Sequence, residues 1–165
     1  MLTETLRKIE AAIFTKNAQH IKNIVEDKEC AEYCGLHFQI GELHVKFRRA
    51  KITPKKIGQF VTLWKRNAQG ETEPFHAHDN YDFYIIATES EDRFGFFLFP
   101  KAVLAEKQIL TASKEGKRGF RVYPDWSVPE NKQAIRTQEW QAAFFIDLTD
   151  GDNPNTDKIR LILSK

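Results

Sequence analysis

LHFQIGELHVKFR, residues 36–48, settles the fold class, because its apolar residues fall into two alternating runs on either side of a turn. Leu36, Phe38 and Ile40 alternate with polar residues, and beyond Gly41-Glu42 the alternation resumes with Leu43, Val45 and Phe47. A two-residue turn opposes Ile40 to Leu43, Phe38 to Val45 and Leu36 to Phe47, which puts all six on one face. The other face then carries His37, Gln39, His44, Lys46 and Arg48, a polar surface that grows more basic toward Arg49 and Lys51.

Upstream, Leu2, Leu6, Ile9 and Ile13 form one stripe of a helix with Thr3 as its cap. A second helix is expected from about Ala18 to Glu29, with Ile21, Ile24 and Val25 facing inward. Downstream, QFVTLWK (59–65) predicts a third strand after the Thr53-Pro54 and Gly58 breaks. DFYIIAT (82–88) reads as a strand covered on both faces, and FGFFLF (94–99) follows after a polar turn and ends at Pro100. Lys101 to about Gln108 suits a short helix, RGFRVY (118–123) a strand, and NKQAIRTQEWQAAFF (131–145) a helix. Ile159, Leu161 and Leu163 are expected to form a last alternating strand. The sum is one α/β or α+β domain over 1–165: a mixed, antiparallel-rich sheet flanked by helices, with a helical segment at 1–30 and an acidic loop at 147–158.

A chain of 165 residues buries roughly 70 % of its unfolded surface in a single core. Thirteen Phe, three Trp and four Tyr supply that core without disulfides. The first residues resemble no secretory signal, and no stretch approaches the roughly 20 apolar residues that span a bilayer. Cys30 and Cys34 are the only cysteines, so reduced, buried thiols and a cytoplasmic location are the expectation. Cys30, Cys34 and His37, or His76 with His78, do not make a common zinc spacing. No metal site is read from them.

Net charge is only +2, but it is unevenly spread. Residues 43–70 hold eight bases and no acid, whereas 147–157 hold four acids and no base. Pro54 rules out a helix through the basic stretch, so the charge lies on a loop between strands. Arg49, Lys51, Lys55, Lys56, Lys65 and Arg66 bracket that loop, and Trp64 is placed either to stack a base or to pack inward. So many bases exceed the need of one small anion and match phosphates spaced along a polynucleotide. Lys117, Arg118, Arg121, Lys132, Arg136 and Trp140 add charge and an aromatic ring further on, and a groove between the loop and the 131–145 helix is the geometric expectation. A small-anion or metabolite sensor, using Arg49, Lys51 and Lys132, is the alternative of a different class.

FRRAKITPKKIGQFVTLWKR (47–66), DFYIIATE, FGFFLFPKAVL and NKQAIRTQEWQAAFF together resemble the MepB-like family of small bacterial proteins, from about Glu32 to Leu148. The resemblance implies the nuclease core of many restriction enzymes, with nucleic acid as partner. That core holds Mg²⁺ through a PD, spacer, (D/E)xK pattern. Here the third strand ends Leu63-Trp64-Lys65, with Leu where the acid belongs. A literal match occurs at Pro124-Asp125 and Glu130-Asn131-Lys132, but with four residues between its halves and no strand beneath it. A divergent Mg²⁺-dependent nuclease would therefore draw on Asp82, with Glu89 or Asp125, and on Lys65 or Lys132. Binding without efficient cleavage is the primary expectation.

Overall fold

The computed structural model describes residues 2–14, 20–28, 31–150 and 155–164. The hairpin of β2 (Leu36–Ile40) and β3 (Leu43–Arg49) has the register its alternation predicts, with Leu36 opposite Phe47, Phe38 opposite Val45 and Ile40 opposite Leu43. It sits inside a six-stranded sheet. Outside it lies β1 (Ile21–Glu26), and on the other side β8 (Phe83–Ser90), β9 (Arg93–Pro100) and β11 (Phe145–Asp147), in the order β1-β2-β3-β8-β9-β11. Neighbours are antiparallel except β3 and β8. A parallel pair needs a long crossover, and residues 50–82 supply it with β4 (Lys51–Ile52), β5 (Gln59–Thr62), β6 (Trp64–Arg66) and β7 (Thr72–Pro74). These make two small sheets, β6 with β7 and, with β10 (Gly119–Val122), the order β10-β5-β4.

Cross-strand partners share a face, so the hairpin's six apolar residues lie with Phe83, Ile85, Leu98 and Ile146. α1 (Leu2–Phe14) and α4 (Thr156–Leu163) lie against this side: α4 meets β9, α1 meets α4, and the Lys8 ammonium sits over the Phe94 ring. Leu6, Ile9, Ile159 and Ile162 are buried there. On the opposite face Phe99 packs against Phe120, Trp140 and Phe144. This brings β10 and α3 (Lys132–Ala142) over that half of the sheet. α2 (Lys101–Glu106) follows β9 directly. No helix among the described residues is long and apolar enough to cross a membrane.

Four expectations are overturned. Residues 21–26 are a strand, not part of a helix, and Ile24 and Val25 are about half exposed. A register shift between Lys22 and Val25, with Asn23 at φ 56°, breaks the alternation that would have marked a strand and leaves a helix-like spacing. Residues 156–163 are a helix, not a strand: Ile159 and Ile162, three apart, are buried while Leu161 is 64 % exposed. The 59–65 strand divides at Leu63, whose N–H bonds Arg118 O, so β5 and β6 belong to different sheets. The helix expected over 131–145 stops at Ala142, and Phe145 opens β11 instead. Of the two cysteines expected as buried thiols, Cys30 lies outside the described residues, and Cys34 is a partly buried free thiol. Among the described residues no three potential metal ligands cluster.

The polar hairpin face is the fifth correction. Lys46 and Arg48 are 4 % and 1 % exposed, not solvated. The cause is Asp27, just beyond β1, whose carboxylate lies 2.6 Å from both the Lys46 ammonium and the Arg48 guanidinium and 3.3 Å from His37 Nδ1. Burial pushes the Asp27 carboxyl up, but the hydrogen bond and charge of Lys46, the charge of Arg48 and the His37 bond outweigh it and hold its pKa below the usual range. A carboxylate there lets the sheet bury two cations that the sequence pattern assigns to solvent.

Candidate nucleic-acid interface

The groove expected between the basic loop and the late helix is present, with a volume of about 610 Å³. Lys55, Lys56 and Ile57 form one wall. Opposite stand Asn131, Gln133, Thr137 and Trp140 of the α3 region, and Lys107 reaches in from the end of α2, Lys117 from the segment before β10 and Arg121 from β10 itself. Glu130 is the one acid in the lining.

The local sequence explains how this wall is held. Pro54 prevents helix, Lys55 takes φ 71° and Gly58 takes φ 84°, so the chain turns back tightly before β5. A Cβ at Gly58 would stand 2.7 Å from the Tyr123 ring and 2.9 Å from Val122 O, so only glycine lets the loop lie this close to β10. Arg121 braces the loop by donating to Thr53 Oγ1 and Ile57 O. On the facing side Asn131 caps α3 by accepting from the Ala134 N–H at 2.8 Å. The buried Gln141 ties α3 to β10, accepting from Tyr123 N–H and donating to Arg121 O. Two rigid walls therefore face each other with lysines between them.

Electrostatics favour an anion. Lys55, Lys56, Lys107 and Lys117 are exposed and make no ion pair among the described residues. Arg121 meets a hydroxyl and a carbonyl, neither of which neutralises it. The first turn of α3 adds the positive end of a helix dipole beside the same space. Lys107 lies 5.4 Å from the Trp140 ring centre, and the ring is half-buried against Phe99.

The other bases of the opening stretch do not gather here. Arg49 pairs with Glu89 at 2.5 Å, Lys51 with Glu32 at 3.4 Å and Lys65 with Asp79 at 2.8 Å. Arg66 donates to Gly70 O and lies over the Trp64 ring on a separate two-stranded sheet, so Trp64 is half-buried beneath an arginine. Lys132 opens α3 next to the groove and is exposed. Lys107 was not singled out by sequence. Its position at the end of the short helix after Pro100 was visible, but which helix would face it was not.

The carboxylates proposed for catalysis are apart and otherwise engaged. Asp82 accepts from the His44 N–H at 2.8 Å and its own N–H donates back to His44 O, closing the start of the β3–β8 pairing. Glu89 is spent on Arg49. Asp125 stands beside β11, since the next residue, Trp126, packs edge-on against Phe145; partial desolvation raises its pKa, with Lys158 opposing and Asp147 adding to the rise. Asp147 pairs with Gly95, and Gly95 with Thr88. Thr88 is six residues along β8 from Asp82, roughly 20 Å at about 3.3 Å per residue. Asp82 and Asp125 therefore do not converge on one metal, and among the described residues Lys132 makes no ion pair with either.

A six-stranded sheet with one parallel pair among antiparallel neighbours, together with four α-helices among the described residues, makes this a mixed α+β domain. The chain matches the MepB-like family over residues 27–147 and belongs to it. It is also similar to MepB, whose crystal structure superposes with a TM-score of 0.77 at 36 % sequence identity, covering 86 % of this chain and 95 % of that one. Comparison with curated proteins returned no match.

Proposed function

We propose that the protein binds nucleic acid, and that the phosphate backbone runs through the groove between the 55–57 loop and α3. The observation that carries this is the set of Lys55, Lys56, Lys107, Lys117 and Arg121 around one cleft that contains a single acid, Glu130. Neutralised bases would contribute little to phosphate binding. These are not neutralised, and Trp140 supplies an aromatic edge in the same cleft. Binding without cleavage is the reading the separated carboxylates favour.

Fluorescence anisotropy with labelled DNA and RNA at several salt concentrations tests it. Each phosphate contact adds about 0.7–0.9 to the slope of log K against log salt. Lys55→Glu/Lys56→Glu is expected to stay folded, to lose binding and to flatten that slope. Wild-type affinity in this double variant removes the proposal. Saturable binding of one nucleotide with a slope no greater than about 2 would instead assign the groove to a single phosphorylated metabolite.

A further inference from the structure

The two sides of the lysine groove differ in chemistry. Its cations come from the 55–57 loop, the end of α2, the segment before β10 and β10 itself. The α3 side brings none into the lining: Gln133, Thr137 and Trp140 are neutral, and the acid Glu130 precedes them. These three lie four and three residues apart, which sets them on one helical face, and that face borders the groove. Gln133 is exposed, and its side-chain amide makes no hydrogen bond among the described residues. Phosphates suit the cationic side, and bases suit a neutral side with a ring and a free amide.

Trp140 is half-buried, with Phe99 against it at 5.6 Å between ring centres and the Lys107 ammonium 5.4 Å from its own ring centre. Lys107 is exposed and unpaired with any acid, so its long chain can leave the ring to a flat partner and carry its charge to a phosphate. A base stacked on tryptophan outweighs an exposed cation–π contact. Ile57 lines the same cleft at 40 % exposure. An isoleucine open to water there gains from covering by a base and nothing from a phosphate.

A duplex cannot use this arrangement, because its base faces are stacked on one another and only base edges reach its grooves. At about 610 Å³ the cleft has the volume of a small-molecule site, room for about one or two nucleotides. We propose that the groove takes an unpaired strand, its backbone along the 55–57 loop and one base stacked on Trp140 beside Gln133. This rests on the nucleic-acid reading of the groove and adds which form of strand it holds and which residue meets a base.

Fluorescence anisotropy with a labelled strand of about 12 nucleotides, and with the same strand annealed to its complement, tests it. The single strand is expected to bind at least about tenfold more tightly than the duplex and to quench tryptophan emission. Trp140→Phe keeps a ring against Phe99 and should abolish the quenching, since Trp64 lies beneath Arg66 and Trp126 packs on Phe145. Trp140→Leu should weaken single-strand binding about five- to 150-fold, the worth of one base stack. The slope of log K against log salt should stay as in wild type, because no phosphate contact is lost. If Trp140→Leu does not fold, quenching and its loss in Trp140→Phe decide alone. Duplex binding as tight as that of the single strand, an unquenched wild type, quenching that persists in Trp140→Phe, or wild-type affinity in a folded Trp140→Leu each overturn the proposal and leave the nucleic-acid reading standing. Failure of both probes to bind at about 50 mM salt removes both.

Discussion

Replacing Asp27 by Asn removes the carboxylate that lies against Lys46, Arg48 and His37 at the sheet. Both cations are almost fully buried, so neither reaches water without moving β3 or the 75–81 loop. Breaking a buried ion pair by removing one partner costs about 3–5 kcal/mol, because a desolvated charge is left behind. Two cations share this carboxylate, which puts the expectation at the upper end of that range, a large part of the roughly 5–15 kcal/mol that holds a domain together. Urea unfolding at pH 7, followed by tryptophan fluorescence, measures it. The melting temperature should fall by about 6–20 °C for a chain of this size. The pH dependence supplies a second check. Asp27 has a folded pKa below its unfolded value, so its contribution is present above the unfolded value and is lost as pH falls through the folded one. The gap between wild type and Asp27→Asn should therefore narrow at acid pH. A cost below about 1 kcal/mol at pH 7 would place the pair among screened surface contacts and refute the reasoning. The triple replacement Asp27→Leu/Lys46→Met/Arg48→Met should recover most of the loss, because apolar residues of similar volume carry no desolvation cost.

Arg49→Ala should change nucleic-acid affinity by less than about threefold in the same anisotropy assay, since its guanidinium is already held by Glu89. Gly95→Ala should destabilise by about 1–3 kcal/mol in urea unfolding, because its Cβ would stand 2.5 Å from the Phe145 ring and 2.7 Å from Ile146 O, and a strand carbonyl cannot step aside. Asp125 has an exposed side chain whose pKa is raised by partial desolvation, so its ionisation opposes folding above that pKa only weakly, being screened by solvent. Asp125→Asn should stabilise slightly at pH 7, with the gain vanishing below the unfolded carboxylate value of about 3.9 in pH-dependent melting curves. A destabilised Asp125→Asn at pH 7 would mean that its attraction to Lys158 outweighs burial.

Alternation and turn chemistry by themselves determined the β2–β3 hairpin, residue by residue, and near-continuous apolar runs marked β8 and β9 as buried strands. Those signals are local: a two-residue turn fixes register, and period-two alternation fixes the face. The stripe of α1 and the cap-to-helix pattern of α3 were legible for the same reason. Where a local pattern was disturbed or short, tertiary structure prevailed. The shift within β1 imitated helical spacing, and Ile159-Arg-Leu-Ile was short enough to fit either period until α4 had β9 to lie against. The candidate site divided in the same way. Sequence located the lysines of the 55–57 loop and expected them opposite the late helix, because Pro54 and Gly58 forbid regular structure there. It could not tell which of eight consecutive-looking bases were free. Their partners, Asp27, Glu32, Asp79 and Glu89, are distant in the chain and arrive only when the sheet assembles, so the fold alone decides which cations are neutralised and which remain to meet an anion.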